Sequence, residues 1–189
     1  MAKRILFHGT MNAGKSAQLL IQAFNLEKQG KTLALFKSVV DTRDICMVKS
    51  RALDEERPAI AIGKDEVGKM YRLVKETNPD FVFVDELQFM TPEQVKELAD
   101  ISINLNKPVF AYGLLLSYTG ELFSGTRKAI ECGYTLHELK MQCDFCDSKS
   151  THHLLYIDDK VVEDGEQIHV GDQEYKSVCY TCYLDELQK

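Results

Sequence analysis

The clearest chemical pattern lies at residues 9–16, which match the phosphate-binding motif G-x-x-x-x-G-K-[ST] at every fixed position. In this motif the glycines let backbone N–H groups and a helix N-terminus converge on one anion. Lys15 adds a positive charge for the outer phosphates, and Ser16 supplies a hydroxyl for Mg²⁺. A glycine-rich turn capped by Ser16 is the alternative, but it requires neither Lys15 nor the apolar strand before Gly9. The motif predicts a nucleotide-binding loop made of Gly9, Thr10, Met11, Asn12, Ala13, Gly14, Lys15 and Ser16.

Two adjacent carboxylates, Asp85 and Glu86, follow four consecutive apolar residues at 81–84. A strand that is apolar on both faces is typical of the centre of a parallel sheet, and ligands bind at the carboxyl ends of such strands. We expect Asp85 to reach Mg²⁺ directly or through water, and Glu86 to accept a proton. The alternative is that these carboxylates simply begin a surface loop.

The C-terminal part of the chain carries two C-x-x-C pairs, which are the usual basis of a tetrahedral structural zinc site. The four residues are Cys143, Cys146, Cys179 and Cys182. A disulfide framework is the other use of many cysteines, but the paired spacing in a chain with a P-loop favours metal. Four cysteines leave no open coordination position, so we expect support rather than chemistry. His152, His153 and His169 are spare candidate ligands that we interpret as surface or packing residues.

Strand and helix patterns alternate around these residues. Apolar runs predict strands over residues 5–7, 32–36, 59–62, 81–84 and 108–114. Periodic apolar positions and capping residues predict helices over residues 17–24, 67–78 and 91–104. We therefore expect an α/β fold with a P-loop NTPase-type parallel sheet flanked by helices, in which residues 108–114 form the last core strand.

Two domains are expected, namely a P-loop nucleotide-binding domain over residues 1–140 and a small zinc-ribbon domain over residues 141–189. In the second domain, residues 154–157 and 167–170 predict a long hairpin around Asp164 and Gly165.

Residues 38–58 are polar and without clear period, which is typical of a long excursion that is either functional or poorly ordered. Residues 115–126 are interpreted as a loop over the sheet edge, whose aromatic side chains either fill the core or stack on a base.

Composition limits the function classes. The chain has 189 residues, 44% of them hydrophobic, and a net charge of -6. This charge has the wrong sign for a protein whose main partner is a nucleic-acid polymer. No apolar run approaches the length of a membrane span, and the first residues lead directly into a core strand. We therefore expect a cytoplasmic protein with small-molecule substrates and no membrane partner.

The sequence resembles the zinc-containing, type II thymidine kinases in their bacterial and phage form, over nearly the whole chain. Four motifs carry this resemblance together with the cysteine pairs. They are Met11-Asn12-Ala13-Gly14-Lys15-Ser16, Asp85-Glu86-Leu87-Gln88-Phe89, Tyr112-Gly113-Leu114 with Gly120-Glu121-Leu122-Phe123, and Gly165-Glu166-Gln167 with Gly171 and Tyr175. The resemblance implies transfer of the γ-phosphate of Mg-ATP to the 5′-hydroxyl of thymidine, giving thymidine monophosphate and ADP for DNA precursor salvage. It also implies a homotetramer.

The resemblance also implies roles for single residues. Glu86 would be the base that takes the proton of the 5′-hydroxyl, and Asp85 with Ser16 would serve Mg²⁺. Lys15 and the loop amides would hold ATP, with Gln88 close by. The thymine pocket would be lined by Met11, Phe89, Leu114, Tyr118, Phe123 and Tyr175. In family members, the zinc ribbon supports the loop that closes over the nucleoside.

Arg43 would lie near the transferring phosphate, where a guanidinium binds phosphoryl oxygens well. From the residues alone, a solvated loop charge is the alternative for Arg43. The chain departs from the family before the pocket aromatic, because Leu115-Leu116-Ser117 replace residues that are usually polar or charged, and Tyr118 stands where phenylalanine is usual. We expect this departure to affect nucleoside affinity and selectivity.

Two other function classes are consistent with a P-loop and a zinc ribbon. A nucleic-acid ATPase would need a cluster of Lys and Arg in the ribbon to neutralise phosphates, and residues 141–189 show none. A nucleotide-binding module without catalysis would be favoured if Glu86 were missing, and it is present. A nucleoside kinase is therefore the preferred interpretation.

Overall fold

The computed structural model describes residues 2–39, 46–50, 52–165 and 174–188. Its centre is a parallel sheet of six strands. These strands are β1 (Arg4–His8), β2 (Leu33–Ser38), β5 (Ile60–Ile62), β6 (Phe81–Asp85), β7 (Val109–Gly113) and β8 (Thr135–Glu138). Their order across the sheet is β5-β2-β6-β7-β1-β8. The predicted α/β fold with a parallel sheet is confirmed, but the expectation that residues 108–114 form the last strand was wrong, since β8 pairs with β1 at the edge.

Five α-helices accompany the strands within the described ranges. They are α1 (Lys15–Lys28), α2 (Lys69–Thr77), α3 (Pro92–Asn104), α4 (Ser124–Glu131) and α5 (Tyr180–Leu187). None of them combines the length and apolarity that crossing a bilayer requires. The capping box predicted for α3 is confirmed, because the Thr91 hydroxyl accepts from the Gln94 N–H while the Gln94 side chain accepts from the Thr91 N–H. α4 was not predicted from the sequence.

The sheet is buried on both faces, as the apolar run of β6 predicts. Val82 and Val84 pack on one side with side chains of α2, α3 and α4, whereas Phe83 packs on the other side with α1. Burying each such side chain contributes about 1.5–3 kcal/mol relative to leaving it exposed. The helix predicted over residues 67–78 begins later than expected, at Lys69 after the N-cap residue Gly68, which has a φ of 85°. Val67 therefore lies before the helix and is 55% exposed.

Residues 38–58 contain more structure than their polar composition indicated. Two short strands, β3 (Met47–Ser50) and β4 (Glu55–Pro58), pair in an antiparallel hairpin. Val48 is buried against α1, and the Arg57 guanidinium lies 2.6 Å from the Glu27 carboxylate of the same helix. The single buried apolar side chain in β3 and the charged residues of β4 explain why no strand pattern is visible in the sequence.

The C-terminal residues form a second, antiparallel sheet of three strands in the order β10-β9-β11. The strands are β9 (His152–Ile157), β10 (Lys160–Val161) and β11 (Glu174–Val178). β9 turns into β10 at Asp158 and Asp159, which both have positive φ, instead of at the predicted Asp164 and Gly165. The predicted return strand at residues 167–170 lies outside the described residues.

Candidate active site

The loop between β1 and α1 depends on its glycines for two different reasons. At Gly9 a Cβ atom would lie 2.5 Å from the Leu139 carbonyl oxygen, so the position has no room for a side chain. Gly14 has a φ of 77° and is the N-cap residue of α1, and Asn12 also adopts a left-handed conformation. Left-handed residues directly before a helix are typical of anion sites, in which loop N–H groups and the helix N-terminus face one ligand.

Lys15, the first residue of α1, is buried beneath this loop. Its ammonium group donates to the carbonyl oxygens of Thr10 at 2.7 Å and Gly9 at 3.3 Å. Burial lowers the Lys15 pKa, and the carboxylates of Glu86 and Asp85 act in the opposite direction. The structure therefore places the lysine within electrostatic range of both carboxylates that the sequence singled out.

Asp85 is the last residue of β6 and is 4% exposed. In the parallel register Asp85 stands opposite Lys37 of β2, a second buried lysine whose ammonium group donates to the Met47 carbonyl oxygen at 3.2 Å. Lys37 was not predicted as a site residue, although a lysine directly after the apolar run at 32–36 is a visible signal. Because β7 lies between β6 and β1, Asp85 is two strand spacings from the strand before the P-loop, about 10 Å, and Lys37 on β2 is one spacing further.

Glu86 is half-buried and has a φ of 53°, a left-handed conformation that a residue with a long side chain seldom adopts. Its carboxylate accepts a 2.6 Å hydrogen bond from the side-chain amide of Gln88. The amide oxygen of Gln88 in turn accepts from the Leu114 N–H at 3.0 Å. Gly113 allows this close approach, because a Cβ there would lie 2.5 Å from the same amide oxygen. Gln88 thus connects Glu86 to the end of β7.

The loop after β7 is folded against its surroundings. Tyr118 and Phe123 are 3% and 4% exposed, and the ring of Phe123 packs edge-on against Phe89 at a centroid distance of 6.0 Å. The Tyr183 hydroxyl of α5 donates to the Tyr118 carbonyl oxygen at 3.0 Å. Tyr175 lies in β11 opposite Leu155. Two expected parts of the site, Arg43 and the segment from Glu166 to Gly171, lie outside the described residues.

The four predicted cysteine ligands come together. Their Sγ atoms all lie within 4.8 Å of one another. Two of the separations, Cys146 to Cys179 and Cys182 to Cys146, are 3.7 and 3.8 Å. A tetrahedral site with zinc–sulfur bonds of about 2.3 Å requires sulfur atoms about 3.8 Å apart. The cluster therefore fits a zinc ion.

Three side chains of the C-terminal part of the chain contact the P-loop, and none of them was predicted as a site residue. The Met11 N–H donates to His153 Nε2 at 2.9 Å, and the Ser177 hydroxyl donates to the Met11 carbonyl oxygen at 3.0 Å. The hydroxyls of Ser150 and Thr10 lie 2.8 Å apart. These pairs are more than 130 residues apart in sequence, and no local pattern predicts them.

The parallel sheet, the phosphate loop and the two carboxylates define a P-loop nucleotide-binding protein. The chain belongs to the thymidine kinase family, whose model matches residues 2–183. It is similar to the thymidine kinase of Enterobacteria phage T4, with 38% identity over 183 residues, 95% of this chain and 94% of that protein. It is also similar to the thymidine kinases of Listeria innocua serovar 6a, at 38% identity, and Streptococcus pyogenes serotype M3, at 34%, each over 98% of both chains.

Proposed function

We propose that this protein transfers the γ-phosphoryl group of ATP to the 5′-hydroxyl of thymidine, forming thymidine monophosphate and ADP. The observation that carries the proposal is that a chain of the thymidine kinase family has both a P-loop and a carboxylate, Glu86, that is held in place by Gln88. Phosphoryl transfer needs little beyond positioning of donor and acceptor and stabilisation of charge.

The P-loop would bind ATP, the phosphate donor. Lys15 would exchange its bonds to the Thr10 and Gly9 carbonyls for phosphate oxygens, and the loop amides and the N-terminus of α1 would hold the remaining negative charge. Ser16 and Asp85 have the oxygen donors that suit Mg²⁺ and would hold it. The bound ion would neutralise charge on the β- and γ-phosphates.

Glu86 would act on the acceptor hydroxyl, and we assign it as the general base. Its carboxylate would take the proton of the 5′-hydroxyl as that oxygen attacks the γ-phosphorus. Gln88 fixes the carboxylate through a 2.6 Å bond while its own amide is held by Leu114. We therefore propose that Gln88 acts mainly by positioning Glu86, in addition to the proximity to ATP that the resemblance implies.

The nucleoside would lie between the P-loop and the loop after β7. Tyr118 and Phe123 are buried, so we assign them to the supporting wall of the pocket. Phe89 and Leu114 are half-buried and retain surface that a base can contact. Met11 and Tyr175 complete the proposed lining, and Arg43 is proposed to contact the transferring phosphate.

The cysteine cluster is proposed to hold one structural zinc ion, and residues 141–189 are proposed to form a separate ribbon domain after the kinase domain at residues 1–140. The fit of the four sulfur atoms to a tetrahedron supports the zinc proposal. A homotetramer is proposed from the family resemblance alone, and a cytoplasmic location from the sequence composition.

The decisive experiment offers Mg-ATP and each deoxynucleoside to the purified protein and follows ADP release together with the nucleoside product. We expect thymidine to be phosphorylated. Phosphorylation of other deoxynucleosides without thymidine would leave a nucleoside kinase but contradict the substrate. ATP hydrolysis stimulated by single-stranded DNA, with no nucleoside product, would replace the proposal with a nucleic-acid ATPase.

Glu86→Gln tests the base within the same assay. The amide keeps the shape of the side chain but cannot take a proton, so we expect kcat to fall about 10²- to 10⁴-fold with little change in ligand affinity. Glu93→Gln is the matched control, because Glu93 is an exposed carboxylate in the first turn of α3. A near-normal kcat in Glu86→Gln would exclude the assigned role.

A further inference from the structure

His153 occupies an unusual position between the two substrate-binding segments. It lies on β9 of the C-terminal sheet and is 3% exposed. Its Nε2 accepts the N–H of Met11 in the P-loop, and its ring also makes a hydrogen bond with the backbone of Leu116 in the loop after β7. A single imidazole thus joins the loop proposed for ATP to the loop proposed for thymidine.

The protonation state of this histidine follows from its surroundings. Burial is the main cause that lowers the His153 pKa to about 3, and the positive charge of Lys15 acts in the same direction. The ring is therefore neutral at physiological pH. Because Nε2 accepts from Met11, the ring proton is on Nδ1, which leaves Nδ1–H as the donor to the Leu116 carbonyl.

The same strand pair holds the other side of Met11. The Ser177 hydroxyl of β11 donates to the Met11 carbonyl oxygen, while His153 takes the Met11 N–H. Both polar backbone groups of Met11 are thus bound by the C-terminal sheet. The Met11 N–H is directed at the imidazole, so the phosphate-binding amides must come from the later residues of the loop.

We propose that His153 is a positioning residue that sets the P-loop and the Leu116 loop relative to each other, so that the phosphate donor and the nucleoside are aligned together. The part of this inference that concerns the nucleoside rests on the proposed function. The part that concerns the P-loop rests on the Met11 contact and can be tested by nucleotide binding without any nucleoside.

Two substitutions separate the two hydrogen bonds. In His153→Gln the side-chain amide reaches about as far as Nε2, so it can still accept from Met11, but it lacks a donor at the Nδ1 position. In His153→Asn the shorter amide can still donate to Leu116 but cannot reach Met11. Loss of one partner from a buried hydrogen bond is expected to weaken binding of the ligand held by that loop about 5- to 100-fold.

The experiment measures KM for ATP and for thymidine, and the affinity of a non-hydrolysable ATP analogue by calorimetry. We expect His153→Gln to raise KM for thymidine while analogue affinity stays within about twofold, and His153→Asn to weaken binding of the analogue. The matched control is His152→Gln, because the neighbouring His152 ring instead packs on Tyr180 and Tyr183 at 4.9 Å. We expect the control to change neither ligand.

The outcomes are distinguishable. Equal changes for both ligands in Gln and Asn variants, or no change in either, would overturn the positioning role, even if the melting temperature falls. Wild-type protein that binds the ATP analogue but phosphorylates no nucleoside would contradict the proposed function. In that case, unchanged analogue affinity in His153→Asn would overturn the inference separately.

Discussion

His153 should contribute to the pH dependence of this protein's stability. An unfolded histidine has a pKa near 6.5, whereas burial lowers the pKa of folded His153 to about 3. Between these values the unfolded chain binds a proton that the folded chain does not, so acid favours unfolding. The stabilising effect of the neutral histidine is complete above about pH 6.5 and is lost progressively as the pH falls towards 3.

The size of the effect follows from the two pKa values. Within this window each pH unit changes the free energy of unfolding by about 1.4 kcal/mol per proton. Allowing for partial protonation near the unfolded pKa, the loss between about pH 7 and about pH 5 is about 2 kcal/mol. This loss is a large fraction of the typical stability of a domain.

The measurement is urea unfolding of wild-type protein and His153→Gln at both pH values, in buffer with excess zinc. Glutamine does not titrate, and both proteins share the other histidines and the cysteines, so their contributions cancel in the difference. We expect the wild type to lose about 2 kcal/mol more than the variant on acidification. Parallel losses in the two proteins would refute the argument, because they would mean that His153 already binds its proton in the folded state.

Three further predictions concern the site and the cluster. Gln88→Leu leaves the half-buried Leu114 N–H without this partner and Glu86 unanchored, so both kcat and the urea midpoint should fall; an unchanged kcat would contradict the positioning of Glu86. Gly113→Ala places a Cβ 2.5 Å from the Gln88 amide oxygen and should reproduce the loss of kcat, which steady-state kinetics would test. Cys146→Ser should lower both the zinc content, measured by atomic absorption, and the melting temperature; one zinc per chain in the variant would contradict its assignment as a ligand.

The parts of the fold that could be predicted are those with strong local signals. The apolar run of β6 and the capping box of α3 depend on neighbouring residues, and both appear in the structure as expected. β8 was missed because it is an edge strand whose residues are mostly exposed, so it carries no apolar run. α4 was missed because it begins directly after a loop without a side-chain cap.

In the site, too, features with a local sequence signal could be predicted and contacts between distant residues could not. The phosphate loop, the carboxylate pair and the cysteines are local motifs with fixed spacing, so their residue types indicate the chemistry directly. The bond between His153 and Met11 joins residues 142 positions apart and depends on how the C-terminal sheet packs on the P-loop. The anchoring of Glu86 by Gln88 is local in sequence, but it depends on the left-handed backbone at residue 86, which nothing in the side-chain pattern indicates.

That left-handed backbone at Glu86 has a consequence for directed evolution. Glycine adopts such a φ without penalty, and asparagine with little, whereas most residues lose about 1 kcal/mol there. A library screened for heat resistance alone should therefore enrich glycine or asparagine at residue 86 and discard the proposed base. Selection for thermal stability and selection for turnover act in opposite directions at this position. Engineering of this fold should therefore keep residue 86 unchanged and introduce stabilising substitutions elsewhere.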